Sequence, residues 1–138
     1  MTGEAGDETP RPLKQRPAMA RQHATAGPYS PVLEVEARRL VVISGQVAVD
    51  RDGHALGDTI EEQTAATLGN CAEQLTSAGC SLADVFKVNV YLADLRDWGR
   101  FNTAYAAVMP EPLPVRTAVQ AVLLPGYLVE IEMWAVKA

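Results

Sequence analysis

The C-terminal stretch Val129-Glu130-Ile131-Glu132-Met133 alternates apolar and acidic residues without a break. Period two is the mark of a strand with one buried and one open face. A chain with this stretch must build a β-sheet, and one side of that sheet must meet water or another molecule. A second stretch, Leu113 to Val119, is apolar or small except for Thr117 and Arg116. On a strand Arg116 projects with Ala118 and Gln120, while Val115, Thr117 and Val119 take the other face. A charge in such a setting is costly unless it is paired, solvated or used.

The rest of the chain supplies partners for these strands. Val32 to Glu36 alternates and predicts a short, half-exposed strand, and Ala37-Arg38-Arg39 a turn. Leu40-Val41-Val42-Ile43 is a continuous apolar run, the pattern of a central strand buried on both faces, with Val47 to Val49 as an extension. Thr59 and Glu62 have capping-box spacing at the start of a helix. Leu68, Cys71, Ala72, Leu75 and Ala78 make its apolar stripe, and Gly79 supplies a left-handed stop. Val85 to Leu92 reads as a strand with Phe86, Val88, Val90 and Leu92 on one face. Asp97 opens a second helix with Phe101, Tyr105 and Val108 as its stripe, and Pro110 ends it. The last two strands join through Leu124-Pro125-Gly126. This order predicts an α+β fold, a mixed sheet with both helices on one face. The opposite face, with residues such as Val88 and Val119, is expected to be apolar and uncovered, which predicts an oligomer.

With 138 residues and 48% hydrophobic content, there is material for one core. Residues 1–22 are rich in Pro, Gly and charge and are expected to form a disordered tail ahead of a single domain over 23–138. No apolar run is long enough for a bilayer and none resembles a secretory signal, so no membrane partner is expected and the cytoplasm is the expected compartment. A formal charge of −5 argues against a nucleic-acid partner. Cys71 and Cys80 read as reduced, buried side chains. His23 and His54 have no partner at metal-site spacing, so no metal is expected.

Taken in order, several pieces resemble the RidA (YjgF) family of reactive-intermediate imine/enamine deaminases. They are Gly27-Pro28-Tyr29-Ser30, Ile43-Ser44-Gly45-Gln46, Gln63-Thr64, Asn70, Ala78-Gly79 and Val88 to Leu92. They continue with Phe101-Asn102, Tyr105, Pro114-Val115-Arg116, Leu124-Pro125 and Val129-Glu130-Ile131-Glu132. The resemblance runs from about Gly27 to the C-terminus. It implies a chorismate-mutase-like subunit in a homotrimer with a ligand cleft at each subunit interface. The implied reaction hydrolyses a 2-imino or 2-aminoacrylate-type acid to a 2-keto acid and ammonia, with no cofactor and a small carboxylic acid as the partner. It places the family's carboxylate-binding arginine on Arg116 and its water-orienting glutamate on Glu130. Tyr29, Ser44, Gly45, Asn102 and Ala118 fall on substrate-binding positions. Two departures stand out: Pro31 where the family commonly has Gln, and Ala118 where it commonly has Cys or Ser.

These roles suit the chemistry. A guanidinium fork pairs with a carboxylate, and a glutamate can hold a water and move its proton. The alternatives are an arginine in a structural ion pair, a Glu130 on a merely solvated face, and Glu132 as the proton carrier. If the last two strands formed a tight hairpin, Glu130 would lie about five residues, roughly 16 Å, from the point opposite Arg116. The two could then share a ligand only across a subunit boundary. Three functions follow: a deaminase, a non-catalytic carboxylate- or protein-binding relative, and an RNA-cleaving translation inhibitor.

Overall fold

The computed structural model describes residues 12–22, 26–36 and 38–138. Their strands and helices run β1 (Lys14–Gln15), β2 (Glu34–Val35), β3 (Arg39–Gln46), α1 (Ile60–Ser77), β4 (Val85–Leu92), α2 (Trp98–Ala106), β5 (Val115–Gln120) and β6 (Val129–Lys137). The main sheet has the order β3-β6-β4-β5. β5 runs parallel to β4, and β6 is antiparallel to both β4 and β3. The mixed sheet with two helices is therefore present as expected. α2 lies in the crossover between the parallel pair, a connection a tight turn cannot make.

One face of this sheet and the helices enclose the core. Val88, Val90 and Leu92 of β4 align with Val129, Ile131 and Met133 of β6, and all are buried with Leu68, Cys71 and Leu75 of α1. α1 starts as its sequence predicts: Thr59 Oγ1 accepts from the Glu62 amide at 3.2 Å. The Glu62 carboxylate turns instead to the Asp58 amide, at 3.4 Å. Gly79 ends the helix at φ +76°, a conformation most side chains resist.

Several sequence-based expectations change. Leu40–Ile43 forms part of an edge strand, with Leu40 56% and Val42 58% exposed, because β3 pairs only with β6. Val88 faces the helices with Val90 and Leu92, in step with the alternation of β4, and not the open face. The irregularity between Val85 and Lys87 brings Val85 to the same buried side and leaves Phe86 half-buried. The other face carries Lys87, Asn89, Tyr91, Thr117, Val119, Glu130, Glu132 and Trp134. It is mixed in character and not apolar. The last two strands are no hairpin, because β4 lies between them. α2 ends at Ala106, short of the expected Val108, which is exposed, while Met109 is buried in its place.

The expected tail is corrected over its second half; residues 1–11 lie outside the described residues, as does His23. Lys14 and Gln15 pair with Val35 and Glu34. The Lys14 side chain is buried, with Nζ donating to Val85 O at 2.5 Å and Pro112 O at 3.1 Å. Prolines at 12 and 17 bracket β1 without interrupting it, so the Pro-rich composition behind the expected tail leaves room for a short strand. Burial pulls the Lys14 amine below its usual pKa, with Asp84 and Glu111 opposing that shift. Lys14→Ala leaves two carbonyls short of a donor and should cost about 1–3 kcal/mol in urea unfolding. A midpoint equal to wild type would show that the segment contributes nothing.

Candidate functional site

β5 puts Arg116 on the core-facing side of the sheet, aligned with Val88. α2 crosses above it and supplies four of the residues around the guanidinium, three of them aromatic. Its carbon lies 5.5 Å from the Trp98 ring centroid, 5.4 Å from Phe101 and 4.9 Å from Tyr105. Tyr29 adds a fourth ring at 5.6 Å. Nη2 donates to Asn102 Oδ1 at 2.8 Å. Nε and Nη1 are buried and have no partner among the described residues, and no acid there pairs with Arg116. Burial lowers the pKa of the guanidinium, opposed by Tyr105 and Tyr29. An arginine stays charged regardless. This is a desolvated cation held by ring faces and one neutral amide.

The segment Ala26–Tyr29 closes one side. Ala26 O accepts from Trp98 Nε1 at 2.6 Å and from Asn102 Nδ2 at 3.4 Å. A Cβ on Gly27 would sit 2.6 Å from Arg116 Nη2 and 3.1 Å from Asn102 Oδ1, so any larger residue there would push the arginine out of this position. Tyr29, Asn102 and Arg116 are thus brought together. Ala118 is the next core-facing position on β5 and packs half-buried against the core.

Glu130, Ser44 and Gly45 gather elsewhere. Glu130 lies on the opposite face of the sheet, across from Tyr91. A Cβ at Gly45 would stand 2.7 Å from Glu130 Oε2, where the β3–β6 register shifts between Ile43 and Gln46. Ser44 and Gly45 are exposed. Arg116 aligns with Val88 and Val88 with Met133, three residues from Glu130. Two strand spacings and three residues put the two backbones roughly 14 Å apart, with side chains on opposite faces. One subunit does not bring Arg116 and Glu130 to one ligand. Glu132 accepts from Tyr91 Oη at 2.6 Å and Asn89 Nδ2 at 3.2 Å. Among the described residues Glu130 accepts no side-chain or backbone donor of this kind, so it is the less committed carboxylate.

Trp98 was not singled out from sequence. The signal was its spacing: Trp98 and Asn102 are one helical turn apart and share a face. Asp50, Asp52 and His54 approach one another. Asp50 Oδ1 already accepts from the amides of Asp52 and His54, each at 2.9 Å, and the group is an exposed turn. Cys71 lies beneath the sheet, and burial pushes its thiol up to about 12.

Comparisons with known proteins follow this geometry. A family model described as Endoribonuclease L-PSP matches residues 19–137. The mouse 2-iminobutanoate/2-iminopropanoate deaminase is 40% identical over 116 residues, covering 83% of this chain and 84% of its own. The fission yeast Schizosaccharomyces pombe protein mmf2, named mitochondrial, is 38% identical over 129 residues, 91% of this chain and 100% of its own. The crystal structure of RidA from an Antarctic Psychrobacter superimposes with a TM-score of 0.68 at 36% identity, covering 83% of this chain and 92% of that one.

Two outcomes test the local geometry. Gly27→Ala should displace Arg116 or the 26–29 segment and weaken carboxylate binding about tenfold or more; an unchanged Kd by calorimetry would show that the close approach is not maintained. Cys71 should resist an aromatic disulfide reagent at pH 8 in the native protein and react once unfolded. Rapid native labelling at Cys71 would contradict its burial.

Proposed function

The chain belongs to the YjgF/RidA family, and on that footing we propose that it is a cofactor-independent imine/enamine deaminase. Its substrate in this reading is a reactive 2-imino acid, converted to the 2-keto acid and ammonia. The observation that carries the reading is Arg116: a buried guanidinium with two nitrogens that have no partner, and no acid beside it, among the described residues. A structural ion-pair arginine would have found its carboxylate within the chain. Here the fork is left for a carboxylate from outside, and a low-dielectric setting strengthens that attraction.

The second half comes from another copy. Arg116 stands on β5 and Gly45 on β3, the two edge strands of the sheet. A head-to-tail contact sets the Arg116 edge of one subunit against the Gly45–Glu130 edge of the next, and such contacts close into a ring. Exposed Leu40, Val42, Val119, Val122 and Leu124 supply apolar surface near these edges. A homotrimer of chorismate-mutase-like subunits, with three interfacial clefts, is the assembly we propose. We also propose the cytoplasm as the compartment, although mmf2 carries a mitochondrial name.

In the cleft Arg116 fixes the carboxylate, and Asn102, Tyr29 and the backbone at Ala118 shape its surroundings. Ser44 and Gly45 bring the neighbour's strand beside the imine. Glu130 holds a water for attack on the imine carbon. The water oxygen bonds to carbon, the C=N pair moves to nitrogen, and nitrogen takes a proton. Loss of the hydroxyl proton then re-forms C=O as the C–N bond breaks and ammonia leaves. Glu130 takes and returns the proton. An imine is electrophilic enough that orientation and proton transfer suffice.

The description of the family model raises RNA cleavage as a second reading. A formal charge of −5, with Glu130 and Glu132 on the open face, repels a phosphate backbone. A non-catalytic binder is separated from a deaminase by ammonia release from an enzymatically generated imino acid. Arg116→Ala should weaken 2-oxobutanoate binding roughly ten- to a hundredfold and remove hydrolysis while the assembly stays intact by light scattering. Arg116→Lys should not restore it fully, for want of the planar fork. Glu130→Gln should keep keto-acid binding and slow hydrolysis. Unchanged binding per folded assembly in Arg116→Ala would overturn the assignment.

A further inference from the structure

β1 lies before the residues matched by the family model, which begin at residue 19. The arm around it nevertheless touches both segments that frame Arg116. Lys14 Nζ donates to Pro112 O at 3.1 Å, at the start of the run that leads into β5, and to Val85 O at 2.5 Å. Arg16 Nη2 donates to Ser30 Oγ at 3.2 Å. Ser30 is buried; its hydroxyl donates to Leu113 O, and its amide donates to Pro114 O at 3.1 Å. Ser30 follows Tyr29, whose ring faces the guanidinium, and Pro114 stands two residues before Arg116. Leu13 O accepts from the Glu36 amide at 2.8 Å, so the arm is fixed from the β2 side as well.

We infer that the Lys14–Arg16 arm is a positioning element for the Arg116 site, clamping the Tyr29–Ser30 segment to the Pro112–Pro114 run that carries the arginine strand. This rests on the reading of Arg116 as a carboxylate-binding group. Lys14 holds the Pro112 side and Arg16 the Ser30 side, with the Ser30 hydroxyl as the joint between them. Neither cation reaches the guanidinium itself. Their effect passes through the placement of the Tyr29 ring and of β5. A side chain that loses such support by a fraction of an ångström loses binding out of proportion to the lost hydrogen bond. The carboxylate affinity of this chain therefore depends on residues that precede the stretch matched by the family model.

Arg16 is exposed, so its substitution tests the clamp without endangering the fold. In the full chain, Arg16→Ala should weaken 2-oxobutanoate binding about three- to tenfold by calorimetry. The melting temperature should stay within about 2 °C. Arg16→Lys, which keeps a donor toward Ser30, should recover part of the affinity, and Ser30→Ala should match the loss of Arg16→Ala. If wild type binds the keto acid, Arg116→Ala abolishes that binding and Arg16→Ala leaves it unchanged, the clamp is wrong and the proposed function stands. If wild type binds no keto acid, the functional reading fails by itself. The clamp is then judged by the rate at which phenylglyoxal modifies Arg116, mapped by peptide mass. A change of severalfold in Arg16→Ala supports the arm, and an equal rate overturns it.

Discussion

A guanidinium buried beneath a helix, with no carboxylate paired to it among the described residues, is the condition around which this structure is arranged. Arg116 has its charge met by the faces of Tyr29, Trp98, Phe101 and Tyr105 and by the Asn102 amide oxygen. Ring faces attract a cation without neutralising it. An acid in the same place would have satisfied the arginine and closed it to any ligand. Much of α2 serves this end: Trp98, Phe101, Asn102 and Tyr105 all come from its nine residues. The Tyr105 ring is fully buried, its hydroxyl has no partner among the described residues, and burial raises its pKa against the opposing pull of Arg116.

The sheet order then decides what a single subunit can and cannot do. β4 and β6 occupy the centre and are filled by the core. The residues that suit chemistry lie on or beside the edge strands. Glu130 reaches toward Gly45 on one edge, and Arg116 stands on the other. Edge strands retain unpaired backbone groups, and proteins commonly cover them with another element or another chain. In the proposed assembly, the same edges offer the surface by which one copy would bring Glu130 to the Arg116 of the next.

The body that carries these edges is fastened by polar groups as well as by apolar packing. Gln63 is buried in α1; its Nε2 donates to Gly126 O at 2.8 Å and Gly57 O at 3.1 Å, and its Oε1 accepts from the Leu128 amide at 2.8 Å. One side chain thus ties the helix start to the turn that sets the beginning of β6. Asn70 does the same for the loop after β3, donating to Val47 O and Val49 O, each at 2.9 Å. Such bonds matter because a loop packed under a helix must satisfy its own carbonyls. They explain why Gln63 and Asn70 stand on the inward side of α1 beside Leu68, Cys71 and Leu75.

The sequence by itself determined the elements whose cause is local. Alternation in Val129–Met133 specified a strand; Thr59, the Leu68–Cys71–Leu75 stripe and Gly79 specified α1 from start to stop. Ordered motifs also made the family legible, and with it the residues to watch. What tertiary structure decided were matters of pairing between distant segments. Leu40–Ile43 reads the same whether central or on an edge, because an apolar run records burial without saying by what. Val88 is in the core because the helices cover its side of β4, and one irregularity brings Val85 to that side too, since a shift of one residue inverts a strand. Lys14 looked like tail because its partners, Val85 O and Pro112 O, are backbone atoms far along the chain. Arg116 and Glu130 could be named from sequence, yet their separation by β4 onto opposite faces was fixed only by strand order, which no local pattern encodes.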